Sequence, residues 1–412
     1  MCIFNLLSCG DKMISVSDNI IFHIDVNSAF LSWSALKLLN EGSKLDIRTV
    51  PAIVGGDQET RHGIVVAKSI PAKKYGIHTA DTVASAFKKC PELISVPPDH
   101  KYYWQMSNSL MEYVSDICPV IEQVSVDECY MDFEPIRKRF GSAETAARYI
   151  KDGIKEKFGF TVNIGISDRK VLAKMASDFE KPDKIHTLYS YEIKNKLWPL
   201  PIDELYMCGK STAAGFKRLG IKTIGDLAAI DHKFVEDTYN KHQLMLWRFA
   251  NGIDDSTVNP EKEQAKGVGN STTLPSNLTD RKNAYPVLKK LAKSVSDRLK
   301  KKKLTAQTVC VQIKYDDFRS VSRQTQLNSA TNAENDIFRE SCRLFDELWN
   351  GEPVRLLGIR TTKVSDENAP KQLDLFSYQQ EMKNDMRREK LKKMLEEVRV
   401  KFGDDSVKKG SL

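Results

Sequence analysis

Carboxylates rising out of apolar, strand-like sequence are the strongest constraint on how this chain can fold. Asp25 follows Ile20-Ile21-Phe22-His23-Ile24, and Asp127 and Glu128 sit side by side in Val124-Ser125-Val126-Asp127-Glu128-Cys129-Tyr130-Met131-Asp132-Phe133. Ionised carboxylates brought together at the ends of buried strands lose hydration and repel one another, so gathering them requires cations. An all-oxygen set suits Mg²⁺ or Mn²⁺ and argues against zinc. In a continuous strand adjacent side chains point to opposite faces, which would send Asp127 and Glu128 apart. A tight hairpin with the acidic pair at its tip lets both reach one place.

The totals bound the rest. At 412 residues the chain exceeds one ordinary core, and two to four domains are expected. A hydrophobic content of 41% with 29% charged residues describes a globular rather than a disordered chain. Lys and Arg number 63 against 55 Asp and Glu, a mild excess that suits a polyanionic partner. Eight cysteines are scattered without CxxC spacing, several inside apolar runs such as Val309-Cys310-Val311. They read as free thiols in a reducing cytosol, so a cytoplasmic location is expected. No stretch approaches the ~18 apolar residues of a membrane span. Residues 1–18 read as a short disordered leader, with Met13 as an alternative start. A carboxylate cluster on a chain with basic tracts points to phosphoryl transfer on nucleic acid.

Strand and helix periodicities alternate from residue 20 to about 188, predicting an α/β core. Strand-like segments fall at 20–26, 50–54, 63–67, 124–133 and 160–166, and helical spacing at 28–39, 82–89, 102–117 and 143–157. From Leu200 to Gly252 short helices with glycine turns take over. Residues 259–267 are polar and charged, as in a linker. An α+β unit follows, with helices near 281–303 and 333–349 and strands at 308–315, 319–327 and 354–362. Beyond 363 the sequence is polar until a charged, helix-like stretch at 379–402.

With Phe22-His23-Ile24-Asp25-Val26-Asn27-Ser28-Ala29-Phe30 and Ser125-Val126-Asp127-Glu128-Cys129-Tyr130-Met131-Asp132 placed, the chain resembles the Y-family translesion DNA polymerases. The bacterial DNA polymerase IV (DinB-like) branch is the nearest match. A third matching block runs from Asn163-Ile164-Gly165-Ile166-Ser167 through Ala173-Lys174-Met175-Ala176-Ser177-Asp178 to Lys181-Pro182. The resemblance implies a right-hand polymerase in which α/β and α+β units combine. A ferredoxin-like palm would span 19–36 and 99–188, small fingers 37–98, and a helical thumb with a helix-hairpin-helix 189–256. A linker at 257–266, an α+β little finger at 267–363 and a tail at 364–412 would complete it. It implies two Mg²⁺ per site, for which Mn²⁺ can substitute, with Asp25 and Asp127 ligating both. The Val26 carbonyl would serve the nucleotide-side ion, and Glu128 the ion nearest the primer terminus. Phe30 matches the steric gate against ribonucleotides, and Lys181 the triphosphate-binding lysine. In the fingers, Ile70 and Lys73 stand where the family carries Tyr and Arg. Lys73 keeps a charge for the nucleotide but loses the bidentate fork.

Cys208-Gly209-Lys210-Ser211-Thr212 is not a P-loop, because Glu204 stands where that motif needs its first glycine. It reads better as the helix-hairpin-helix, with Gly209 and Lys210 offered to a DNA phosphate and Met207 in the usual first glycine's place. In the final domain Lys300, Lys301, Arg319 and Arg323 are the DNA-contact candidates. Gln372-Leu373-Asp374-Leu375-Phe376 resembles the peptide by which bacterial polymerases bind the sliding clamp (its beta subunit), with Leu and Phe anchors for an apolar groove. The expected partners are therefore primer–template DNA, dNTP and the clamp, for a monomer with no membrane contact. Two rival readings remain: a palm-fold nucleotidyl cyclase, and a polymerase-like scaffold that binds DNA and clamp with little or no nucleotidyl transfer.

Overall fold

The structure, a computed structural model, describes residues 19–56, 63–261 and 265–369, together with Lys390, Met394 and Glu397. The chain divides into two compact units, Met1–Glu263 and Gln264–Leu412.

Eight strands are described in the first unit: β1 Ile21–Val26, β2 Ala52–Gly55, β3 Val65–Lys68, β4 Ile94–Val96, β5 Ile121–Gln123, β6 Glu128–Asp132, β7 Val162–Ser167 and β8 Ile185–Thr187. Five of them form one sheet in the order β5-β6-β1-β7-β8, with β1 antiparallel to both neighbours. Period-two alternation gives this sheet two characters. Phe22, Ile24, Cys129, Met131, Ile164 and Ile166 face helices His100–Ile117 and Ala143–Phe158 and build the largest core. The opposite face carries His23 and Asp25 on β1, Glu128 and Tyr130 on β6, and Asn163 and Gly165 on β7.

A short helix, Lys170–Ser177, lies on that polar face, and Gly165 makes its approach possible. A Cβ added at Gly165 would stand 2.0 Å from the Ala173 carbonyl oxygen and 2.5 Å from the Ser177 nitrogen. The helix therefore sits directly on the strand backbone, which puts Lys174 and Ser177 beside the acids. Its far side (Val171, Leu172, Met175) joins a second core with helices Lys210–Arg218, Ile224–Ala228 and Lys241–Ala250.

The small sheet β3-β2-β4 packs one face on helices Ile70–Lys74 and Val83–Lys89. Its other face meets helix Ala29–Asn40, through Leu31, Ala35, Ala52 and Val54.

The second unit is a four-stranded antiparallel sheet backed by two helices, Arg281–Lys301 and Glu334–Leu348. Its strands are β9 Gly267–Leu278, β10 Leu304–Tyr315, β11 Ser320–Thr331 and β12 Val354–Asp366, in the order β11-β10-β12-β9. β9 has no counterpart in the sequence reading. With Gly267, Gly269 and Pro275 it lacks strand propensity, and it is stable as an edge strand along β12. The second unit's sheet leaves the face away from its two helices open.

Gly165→Ala is expected to destabilise the first unit by about 1–3 kcal/mol, because neither the helix backbone nor β7 can yield without repacking. Urea denaturation followed by circular dichroism measures it.

Candidate active site

The acids converge through strand register. Asp25 on β1 is the direct antiparallel partner of Glu128 on β6, which sets their Cα atoms about 4.5–5.5 Å apart. Asp127 lies in the β5–β6 hairpin one residue earlier, and its carbonyl accepts the Val26 N–H at 3.0 Å. The hairpin is closed by Val124 N–H donating to the Glu128 carbonyl at 3.1 Å. The acidic pair thus stands at the hairpin's end of the sheet, as the turn chemistry required.

Each carboxylate has a different electrostatic setting. Asp25 is 8% exposed and is contacted by the Lys181 ammonium, which also reaches Asp178 at 2.9 Å. Glu128 receives Lys174 at 3.0 Å and faces the buried imidazole of His23 at 3.3 Å. The His23 contact, aided by Lys174 and opposed by burial, holds Glu128 down at about 2. Asp127 goes the other way. Burial pushes its carboxyl up, the Ser125 hydroxyl bonded at 2.6 Å opposes this, and the charges of Asp25 and Glu128 add to the rise. Burial lowers the pKa of Lys174 and Lys181, but the surrounding acids more than offset it and both are raised.

The segment bearing Lys181 is stitched to the sheet by amides. Asn163, fully buried on β7, donates to the carbonyls of Ser177 at 3.1 Å and Glu180 at 2.7 Å. Asn27 donates to Asn163 at 3.1 Å and accepts the Asp183 N–H at 2.9 Å. These amides fix where Lys181 starts, leaving only its flexible stem to aim the charge.

Among the described residues no group of three or more His, Cys, Asp or Glu side chains is already arranged as a metal site. The reason is visible: lysine ammoniums hold Asp25 and Glu128, and a hydroxyl holds Asp127. The donor chemistry nevertheless fits a hard divalent cation, since three carboxylates and the Val26 carbonyl are all oxygen and an excess of negative charge is already drawing cations in.

Comparison with known proteins gives the family. Residues 24–178 match the impB/mucB/samB family, and residues 265–375 match that family's C-terminal domain. The chain is 42% identical over 393 residues to a DNA polymerase IV of Clostridium acetobutylicum, covering 95% of this chain and 98% of that one. It is 38% identical over 394 residues to DNA polymerase IV 1 of Bacillus subtilis, covering 95% and 92%. The chain belongs to the DNA polymerase IV branch of the Y-family DNA polymerases. A solved Y-family DNA polymerase chimera shares its fold, with a TM-score of 0.74 and 24% identity over 84% of this chain and 99% of that one. The fold class is accordingly the multidomain right hand of this family, and Y-family polymerases depend on divalent metal ions.

The remaining family positions fall as follows. Phe30 is half-buried at the start of helix Ala29–Asn40 and stacks on Tyr103, with centroids 4.8 Å apart and planes 18° apart. Tyr103 is itself pinned by Ser34 at 2.6 Å, so the Phe30 ring has a rigid backing. Lys73 is exposed on helix Ile70–Lys74, and Ile70 is 52% exposed at its start. Gly209 caps helix Lys210–Arg218. Met207 takes a left-handed φ of 69°, the conformation that explains why glycine is usual there. In the second unit Lys300 and Lys301 are exposed at the end of helix Arg281–Lys301. Arg319 lies 4.9 Å from the Tyr315 ring centre and contacts Glu352. Arg323 shares a sheet face with Val311 and pairs with Glu347 of helix Glu334–Leu348 at 3.0 Å, on the side away from the open face. That open face carries Cys310, Gln312, Ser322, Gly358, Arg360 and Ser271 in register around a shallow groove of about 850 Å³. The clamp-like peptide 372–376 and most of the charged stretch 379–402 lie outside the described residues.

The opposed settings of two adjacent acids predict opposite stability effects in EDTA at pH 7. Glu128's ionised form is favoured by folding. Its contribution is present above its ordinary 4.5 and is lost as pH falls toward about 2. Glu128→Gln should therefore lower metal-free stability by about 1–3 kcal/mol, with the gap closing over that acidic window. Asp127's raised pKa means that its ionised form is disfavoured by folding above its ordinary range. Asp127→Asn should raise the thermal midpoint at pH 7, as read by differential scanning calorimetry.

Proposed function

We propose that the chain is a template-directed DNA polymerase that adds deoxynucleotides to a primer 3′ end across damaged template bases, without proofreading. The observation that carries this reading is the Asp25–Glu128 register pair with Asp127 beside it, in a chain of the DNA polymerase IV branch.

Two Mg²⁺ ions, or Mn²⁺ in their place, would activate the primer hydroxyl and neutralise the departing pyrophosphate. Asp25 and Asp127 would hold both ions, the Val26 carbonyl the nucleotide-side one, and Glu128 the one nearest the primer. Lys181, now on Asp25, would turn to the charge of an incoming triphosphate, and Lys73 would add a second cation from the fingers. The Phe30 ring, backed by Tyr103, would exclude a 2′-hydroxyl by clash. The domain limits are those of the family: palm 19–36 and 99–188, fingers 37–98, thumb 189–256, linker 257–266 and little finger 267–363.

DNA is held without reading its sequence. Gly209 and Lys210 would meet one phosphate at the helix-hairpin-helix. The second unit would contribute Lys300, Lys301, Arg319 and Arg323. Its open sheet face would add Arg360, while Arg323 would have to exchange its pairing with Glu347 for a phosphate. Residues Gln372 to Phe376 would tether the enzyme to the sliding clamp and raise its local concentration on DNA. It would work as a cytoplasmic monomer.

Asp127→Ala and Glu128→Ala should each abolish primer extension while leaving primer–template affinity, measured by fluorescence anisotropy, within about threefold. Extension at the wild-type rate refutes the metal-ligand assignment. Phe30→Ala should let ribonucleotides into the product, scored by alkali cleavage; continued exclusion removes the gate from Phe30.

A further inference from the structure

His23 lies within a family motif but is given no role by it, yet it is built into the acid cluster. It is 1% exposed and lies on the same face of β1 as Asp25. Its Nδ1 is 2.8 Å from Ser177 Oγ, its Nε2 is 3.3 Å from Glu128 Oε2, and its ring meets Tyr130 edge-on with centroids 4.8 Å apart. Nε2 has no well-formed hydrogen bond although a carboxylate stands in front of it. A buried ring nitrogen left so is costly unless another arrangement of the same groups satisfies it.

Ser177 supplies that arrangement. Its hydroxyl oxygen is 2.8 Å from both His23 Nδ1 and the Lys174 carbonyl oxygen, and it has one hydrogen to give. With the hydrogen on the carbonyl, a neutral ring must donate from Nδ1, and Nε2 presents a lone pair to Glu128. With the hydrogen turned to Nδ1, Nε2 carries the N–H and can donate to the carboxylate. The first state repels Glu128 and the second holds it.

We infer that His23 is a positioning residue for Glu128, and that the Ser177 hydroxyl selects the tautomer in which the imidazole grips or releases that carboxylate. Lys174 meets the same Oε2 from the helix side at 3.0 Å, so the imidazole and the ammonium together fix that oxygen, and losing the imidazole leaves it to one flexible side chain. A ligand whose outer partner sets its orientation loses metal affinity when that partner is removed, by about 10–100-fold. The inference rests on Glu128 being a metal ligand.

The test compares His23→Gln, His23→Asn and Glu128→Ala in the full chain. A Gln amide nitrogen falls near the Nε2 position and keeps the grip on Glu128; an Asn amide falls near Nδ1 and keeps only Ser177. Two readouts apply: kcat and KM for dNTP in primer extension, and Mn²⁺ affinity by electron paramagnetic resonance with primer–template and a nonhydrolysable nucleotide. His23→Asn should lose about tenfold in kcat and about tenfold in Mn²⁺ affinity, with KM for dNTP unchanged. His23→Gln should stay within about threefold of the wild type on both. Equal behaviour of the two variants, or wild-type Mn²⁺ affinity in His23→Asn, overturns the inference. Should both substitutions unfold the protein, Ser177→Ala leaves the ring in place and must still lower kcat without changing KM; an unchanged kcat overturns it. Extension by Glu128→Ala would instead remove the ligand reading beneath, so the two failures are distinguishable.

Discussion

The antiparallel register of β1 against β6 is the interaction on which the rest of the site depends. It pairs Ile24 with Cys129 on the core face and Asp25 with Glu128 on the other. Because the side-chain period is two, a slip of one residue would drive Asp25 into the core beneath and bring Ile24 to the polar face. Burying an unpaired carboxylate there would be prohibitive. The hydrophobic pattern that stabilises the sheet therefore also fixes the acids. β7 completes the arrangement from β1's other side, since Asn163 opposes Asp25 and Gly165 opposes His23.

Gathering acids is only half of the problem, because the gathered charge must be held until a cation arrives. The helix lying on Gly165 answers this with Lys174, and the amide-stitched segment after it answers with Lys181. Three acids against two ammoniums leave the cluster net negative. The lysines offset part of the repulsion between the carboxylates while preserving an attraction for divalent ions. Asp127 has no lysine in contact among the described residues and relies on Ser125, which is why burial dominates its setting and not that of Glu128.

Much of this was legible in the sequence, for identifiable reasons. Asp25, Asp127 and Glu128 stand out because charge inside apolar strands is rare, and the hairpin followed from the need to aim adjacent side chains alike. Lys174, Ser177 and Asn163 lie inside a motif that was recognised, but their roles depend on how closely a helix sits on Gly165, which no local pattern announces. His23 resembles any histidine in a buried strand until Ser177, distant in sequence, is placed beside it. β9 escaped because an edge strand can be stable on one partner's hydrogen bonds with little propensity of its own. Arg323 is a DNA-contact candidate from alternation alone; that it shares the parity of Val311 and pairs with Glu347 depends on a separate helix, which no local pattern announces.

The same parity explains what the open face of the second unit is suited to. Along β9, β10, β11 and β12 the outward positions include Gly267, Gly269, Ser271, Ser322 and Gly358, with Gln312 and Arg360 as the longer groups. Short side chains let a phosphate approach the sheet closely, within reach of the Ser271 and Ser322 hydroxyls, the Gln312 amide and the Arg360 guanidinium. Base edges would demand long side chains placed to reach into a groove, and here there are few. A surface built this way would suit a sugar–phosphate backbone of any sequence, which is what an enzyme that must copy any template requires. The glycines that made β9 hard to recognise as a strand are thus the ones that fit it to this face.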